Sequence, residues 1–181
     1  MQCLSDIDRK SILDLARQAV AEAVCHKRLL TEIPKLEVFE PRCGVFVTLH
    51  VRGKLRGCIG VIEPKERLGE SIARSAASAA LDDPRFKPME AEELSYLRIE
   101  VSLLSLLRRI DPEQIEIGKH GLLVEQEIHR GLLLPQVAVE HRLGREEFLR
   151  ETCHKAGLPP DAWKAPESRI YAFTCEILNE P

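Results

Sequence analysis

The residue best equipped for chemistry is Cys58, in the stretch LRGCIG at 55–60. Arg56 stands two residues before it, and on a strand residues i and i+2 share a face. A guanidinium beside a cysteine favours the thiolate, which is the nucleophilic form. Gly57 and Gly60 flank the thiol, and glycine inside a strand marks a bulge or a close approach by backbone or ligand. Two readings of Cys58 stand side by side: an activated thiol, or a small hydrophobe packed in the interior. Between positions 50 and 67 lie five Lys or Arg and two acidic residues, in a chain of formal net charge -3. That local excess would attract a carboxylate or phosphate, or else simply solvate a turn.

Other candidates lie further along. Over 97–104, Ile99, Val101 and Leu103 alternate with Arg98, Glu100 and Ser102. If the polar face lines a cleft, Glu100 serves as general base and Arg98 as anchor; otherwise it is the wet side of a sheet. His120, beside Gly121, is a candidate acid/base or ligand, or a surface histidine. Gln136 sits in an apolar run and needs partners if buried, as a structural bracket or a ligand contact. Cys153 follows the phase of Phe148, Leu149, Thr152 and Ala156, which is the pattern of core packing.

The elements that must position these residues follow from periodicity. Ser5 or Asp6 caps a helix in which Ile12, Leu15, Ala16, Ala19, Val20, Ala23 and Val24 recur at three and four residues, running to about Leu30. The β-branched and aromatic run at 45–51 and the returning 55–62 form a hairpin across Arg52-Gly53-Lys54. An alanine-rich helix spans 68–82 and stops at Asp83-Pro84. A helical turn at 90–94 precedes the strand at 97–104. The stretch 121–124 with 130–133 looks like a faint echo of the first hairpin, pairing Arg130-Gly131 with Arg52-Gly53. A helix follows at 145–156, ended by Gly157 and Pro159-Pro160. Residues 169–178 close the chain as one strand.

Composition excludes several classes. The 181 residues, 44% hydrophobic and 30% charged, suit one globular domain with its own core. The acidic balance argues against nucleic acid held on a general basic surface. No apolar run reaches the roughly 18 residues that span a membrane. The opening MQCLSDIDRK lacks a basic region followed by an apolar core, so no secretory signal is expected. Cys3, Cys25, Cys43, Cys58, Cys153 and Cys175 form no C-x-x-C pair, and read as reduced thiols of a cytoplasmic protein. Neither a Walker loop, a dinucleotide fingerprint, a metal-binding histidine pair nor a G-x-S-x-G elbow occurs. The sequence therefore names no cofactor, and no metal ligands are expected.

Taken together, LRGCIG at 55–60, DPRF at 83–86, IEVSLLS at 99–105, GKHGLLV at 118–124, GLLLPQVA at 131–138 and CHKAGLPPDAW at 153–163 resemble the signature of the AMMECR domain family. The chain departs from that pattern at Leu106-Leu107, where paired prolines are common, and at Leu143, where an aromatic residue is common. The resemblance implies an α+β fold with a curved, mostly antiparallel sheet, flanking helices and two related β-β-β-α-α halves. It implies one domain over 5–181 with two lobes, about 5–110 and 111–181, and a cleft between them. Prokaryotic members tend to be encoded with a Memo-type protein and a radical-SAM protein, which become expected partners. The first functional expectation is an enzyme or enzyme component acting on a small anionic substrate in that cleft. Cys58 would be its nucleophile or a thiolate ligand, Arg56 the activator and anion anchor, and Glu100 or His120 the proton-transfer group. Arg98, Gly57, Gly60 and Gln136 would line the ligand. The second is a non-catalytic adaptor for a Memo-type or radical-SAM partner, in which Cys58 simply packs.

Overall fold

A computed structural model gives the fold, and residues 4–180 are described; Cys3 and Pro181 lie outside them. The class is α+β, and the strands divide between two four-stranded sheets. The chain forms two compact units, one of residues up to Leu104 together with Glu176 onward, the other Ser105–Cys175.

In the first unit, α1 (Asp6–His26) opens with a reciprocal cap, Ser5 and Asp8 each accepting the other's amide. It buries the seven apolar residues that the periodicity picks out. It ends four residues before the expected Leu30, because Lys27 takes a left-handed conformation (φ 53°) that closes the last turn. The hairpin is β1 (Val45–Val51) and β2 (Lys54–Val61), followed by α2 (Leu68–Leu81) and β3 (Leu97–Leu104). The turn at 90–94 is a short 3-10 segment, Ala91–Tyr96. With the last strand, β8 (Cys175–Asn179), the sheet order is β2-β1-β3-β8. β1 pairs antiparallel with both β2 and β3. Val45, Val47, Leu49, Ile99, Val101 and Leu103 point to one face and join α1 and α2 in a single core.

In the second unit, β4 (Arg108–Arg109), β5 (Gly121–Gln126), β6 (His129–Leu133) and β7 (Arg169–Phe173) pair in the order β4-β7-β5-β6. α3 (Pro135–Glu140) and α4 (Arg145–Lys155) complete it. Phe148, Leu149 and Cys153 of α4 are fully buried against Leu122, Val124 and Ile170, so Cys153 is a core residue.

Two expectations need correction. The closing strand 169–178 is two strands, β7 and β8, in different sheets. They are separated at Thr174, whose amide donates to the Ser105 hydroxyl while its carbonyl accepts the Ser105 amide, each at 2.9 Å. The run around Gln136, given no element by its pattern, begins a helix, since Pro135 at its first position is preset for helical φ. The internal echo is real at the level of topology but has another register. In both units the first hairpin strand is central, flanked by its partner and by the strand after the helix. Gly131 corresponds to Gly57 rather than Gly53. A Cβ on Gly57 would stand 2.0 Å from the Ala79 carbonyl of α2, and one on Gly131 would stand 2.3 Å from the Ala156 amide after α4. Each glycine lets its unit's helix lie directly on the sheet.

Candidate functional site

β2 is an edge strand, and an edge presents outward amides and carbonyls with no ladder partner. At Cys58 these groups are taken by the segment that follows α2. Asp83 Oδ2 accepts the Cys58 amide at 2.8 Å, and Arg85 Nη2 reaches the Cys58 carbonyl at 3.4 Å. Asp83 is buried and grips Arg85 with both oxygens, at 3.0 Å to Nε and 2.7 Å to Nη2. The Arg85 guanidinium, aided by the amides of Cys58 and Arg85, holds the Asp83 carboxyl far below the usual carboxylate range, although burial works the other way. Asp83 reciprocally raises Arg85. The Arg85 side chain is still 54% exposed, and its Nη1 makes no hydrogen bond to a described residue.

Because the Cys58 amide faces outward, Cys58 and Thr48 form a non-hydrogen-bonded cross-strand pair, the kind that brings side chains closest. Thr48 Oγ1 donates to Cys58 Sγ at 3.2 Å. Thr48 is also in register with Glu100, so Cys58, Thr48 and Glu100 form a row across three strands on the face opposite the core. Neighbouring strands are about 4.8 Å apart, which separates the ends of this row by about 10 Å. No hydrogen bond joins Glu100 to Cys58 Sγ. Cys58, Thr48 and Glu100 are all half-buried, and Arg98, two residues from Glu100, is exposed.

Arg56 makes its hydrogen bonds to groups other than Cys58. The register skips it, with Leu49 opposite Gly57 and His50 opposite Leu55, so Arg56 sits in a bulge. Its Nε and Nη2 grip Glu93 at 2.7 and 3.0 Å, and Nη1 and Nη2 donate to the carbonyls of Lys87 and Pro88 at 2.8 and 3.3 Å. Arg56 brackets the edge strand to the loop at 87–93, and in doing so lowers the Glu93 pKa. The same-face rule presumes an unbroken strand, and the register is broken at Arg56. The glycines also have packing reasons: a Cβ on Gly60 would meet the Val45 carbonyl at 2.3 Å and the Phe46 ring at 2.5 Å.

The family model for AMMECR1 matches residues 13–178. The chain belongs to the AMMECR1 family. It is 46% identical to Protein TK0174 of Thermococcus kodakarensis, over 93% of this chain and 88% of that protein. A Methanothermobacter thermautotrophicus protein is 43% identical over 98% and 96% of the two chains. The crystal structure of uncharacterized protein PH0010 from Pyrococcus horikoshii superposes with a TM-score of 0.89 at 41% identity, covering 98% of this chain and 93% of that one.

In this AMMECR1-family chain two signature stretches, LRGCIG and DPRF, thus meet at the Cys58 amide. Sequence reasoning missed Arg85 as the cation beside the thiol. The available signal was DPRF itself, an acid and an arginine two residues apart across a helix-stopping proline. Phe86 of the same stretch is half-buried, its ring centroid 5.5 Å from the Arg85 guanidinium and 6.0 Å from that of Arg56.

His120 and Gln136 belong to the second unit. His120 Nδ1 accepts the Glu116 amide at 3.2 Å, so a neutral His120 carries its proton on Nε2. The Gln136 Oε1 atom is buried with no partner. Among the described residues no group of three His, Cys, Asp or Glu side chains is placed to hold a metal ion. No helix among them is long and apolar enough to cross a membrane.

Proposed function

We propose that this AMMECR1-family protein is a thiol enzyme, or the thiol-bearing component of one, that binds a small anionic substrate beside Cys58. One observation carries the reading: Arg85 is held rigidly by the buried Asp83 at the Cys58 backbone, yet more than half of its side chain stays open. A preorganised guanidinium whose Nη1 is left unbonded suits one oxygen of a carboxylate or phosphate. Cys58 Sγ is the nucleophile, and Thr48 Oγ1 donates to it. Glu100 is the proton acceptor at the far end of a ligand long enough to span the row, with Arg98 beside it. In this reading a Memo-type or radical-SAM partner supplies or takes up the ligand. A free working thiol also requires a reducing compartment such as the cytoplasm.

The test is alkylation of the native protein, read by mass spectrometry with exposed Cys25 as internal reference. The expected result is that anionic iodoacetate modifies Cys58 faster, relative to Cys25, than neutral iodoacetamide does, and that millimolar inorganic phosphate slows it. If Cys58 stays unmodified by both reagents until the protein unfolds, it is a packing residue, and the adaptor role takes precedence.

A further inference from the structure

Beyond Cys58 the outer edge of β2 changes character. At Cys58 both outward backbone groups are covered by Asp83 and Arg85. Backbone direction alternates along an antiparallel strand, so the amide and carbonyl of Gly60 face the same outward way. No described protein group bonds to either of them. They border a cleft of about 300 Å³ between the end of β2 and α2.

The α2 side of this cleft carries hydroxyls one turn apart, Ser71, Ser75 and Ser78. Ser71 is 2% exposed and its Oγ has no hydrogen-bond partner among the described residues. A helical serine ordinarily returns its hydroxyl to the carbonyl four residues back, and a buried hydroxyl left without any partner is costly. Ile59, Val61 and Pro64 supply apolar wall. The two charged residues Glu66 and Arg74 neutralise each other through two hydrogen bonds, at 3.1 and 2.6 Å. Lys65 is exposed at the rim and makes no ion pair or hydrogen bond to a described residue, which leaves it as the cleft's unmatched charge.

From these groups we infer a second binding site, separate from the Cys58 row, for a small ligand that carries an amide and a carboxylate. Its amide pairs with the free Gly60 backbone as an added strand would. Its acceptor meets Ser71 Oγ, and its carboxylate meets Lys65. The volume lies at the lower end of ligand cavities and equals about ten water molecules at ~30 Å³ each. It has room for a molecule of dipeptide size.

The test titrates the isotope-labelled full chain with N-acetylalanylalanine and, separately, with its C-terminal amide, following backbone amides by NMR. The expected result is a saturable shift of Gly60, Ser71 and Ser75. Capping the carboxylate, or Lys65→Gln, weakens binding about fivefold, the worth of one partly exposed ion pair. Ser71→Ala also weakens binding and leaves the rest of the spectrum folded and unchanged. Three outcomes overturn the inference: no saturable shift at Gly60; equal binding of the acid and amide probes; or shifts centred on Thr48 and Glu100 with none at Ser71 and Ser75, which puts the probe on the Cys58 row.

Discussion

The Asp83 carboxylate accepts the backbone amide of Cys58 at 2.8 Å, which ties the end of α2 to the exposed edge of the sheet. Asp83 substitutes for the strand that an edge lacks, and the same carboxylate orients Arg85. The position of the thiol, the cover on its edge and the direction of the nearby cation therefore depend on one buried side chain.

Replacing Asp83 should lower stability. Asp83→Ala leaves the Cys58 amide and the Arg85 fork without their acceptor, an expected loss of about 2–3 kcal/mol. The pH dependence follows from the depressed pKa of Asp83. An unfolded aspartate titrates near ~3.9, so the native carboxylate's contribution is present in full above that value and fades as pH falls further toward the folded pKa. Melting of wild type and Asp83→Asn between pH 6 and pH 3 should show the gap between them narrowing only below about pH 4. A gap constant over that range would mean that the charge on Asp83 contributes nothing.

The two arginines should separate cleanly. Arg85→Gln should remove the preference of Cys58 for iodoacetate over iodoacetamide, and should cost about 1–3 kcal/mol because the buried Asp83 carboxylate loses its guanidinium. Arg56→Gln should leave that preference intact. It should destabilise the fold by about 1–3 kcal/mol, since its bonds to Glu93, Lys87 and Pro88 bracket the edge strand. The reverse pattern would return Arg56 to the role that its spacing from Cys58 suggests.

Gly57→Ala should be among the most damaging single-methyl changes in the first unit. The new Cβ would stand 2.0 Å from the Ala79 carbonyl, and neither the strand nor α2 can yield without opening the core around Ile72, Ala76 and Val47. Overpacking of this kind costs about 3 kcal/mol or more, read as a fall in the urea midpoint. Gly53→Ala places its methyl in open space but strains a backbone at φ 75°, and should cost only about 1 kcal/mol.

Ser71→Ala removes a buried hydroxyl that has no partner among the described residues. The substitution should raise stability by about 1 kcal/mol, a gain of a few degrees in melting temperature. A drop instead would show that the hydroxyl is already satisfied by ordered water.

By itself the sequence determined which stretches become helix and strand, because local chemistry decides that. The seven buried residues of α1, the strand 97–104 and the stop at Asp83-Pro84 are all readable from apolar spacing and from proline's exclusion of helix at the preceding residue. It also carried the family, through signature stretches spread along most of the chain. The tertiary structure alone decided which sheet each strand enters and which polar groups meet. The bulge at Arg56 depends on how β2 registers on β1, and the Arg56 guanidinium bonds to Glu93 and to the carbonyls of Lys87 and Pro88. Arg85 lies 27 positions from Cys58 and reaches it only because α2 folds back along the sheet. The split of 169–178 into β7 and β8 is likewise set by reciprocal bonds between Thr174 and Ser105, 69 residues apart. Periodicity reports the face a residue presents within its own element. Contacts between elements depend on register and packing, which no local pattern encodes.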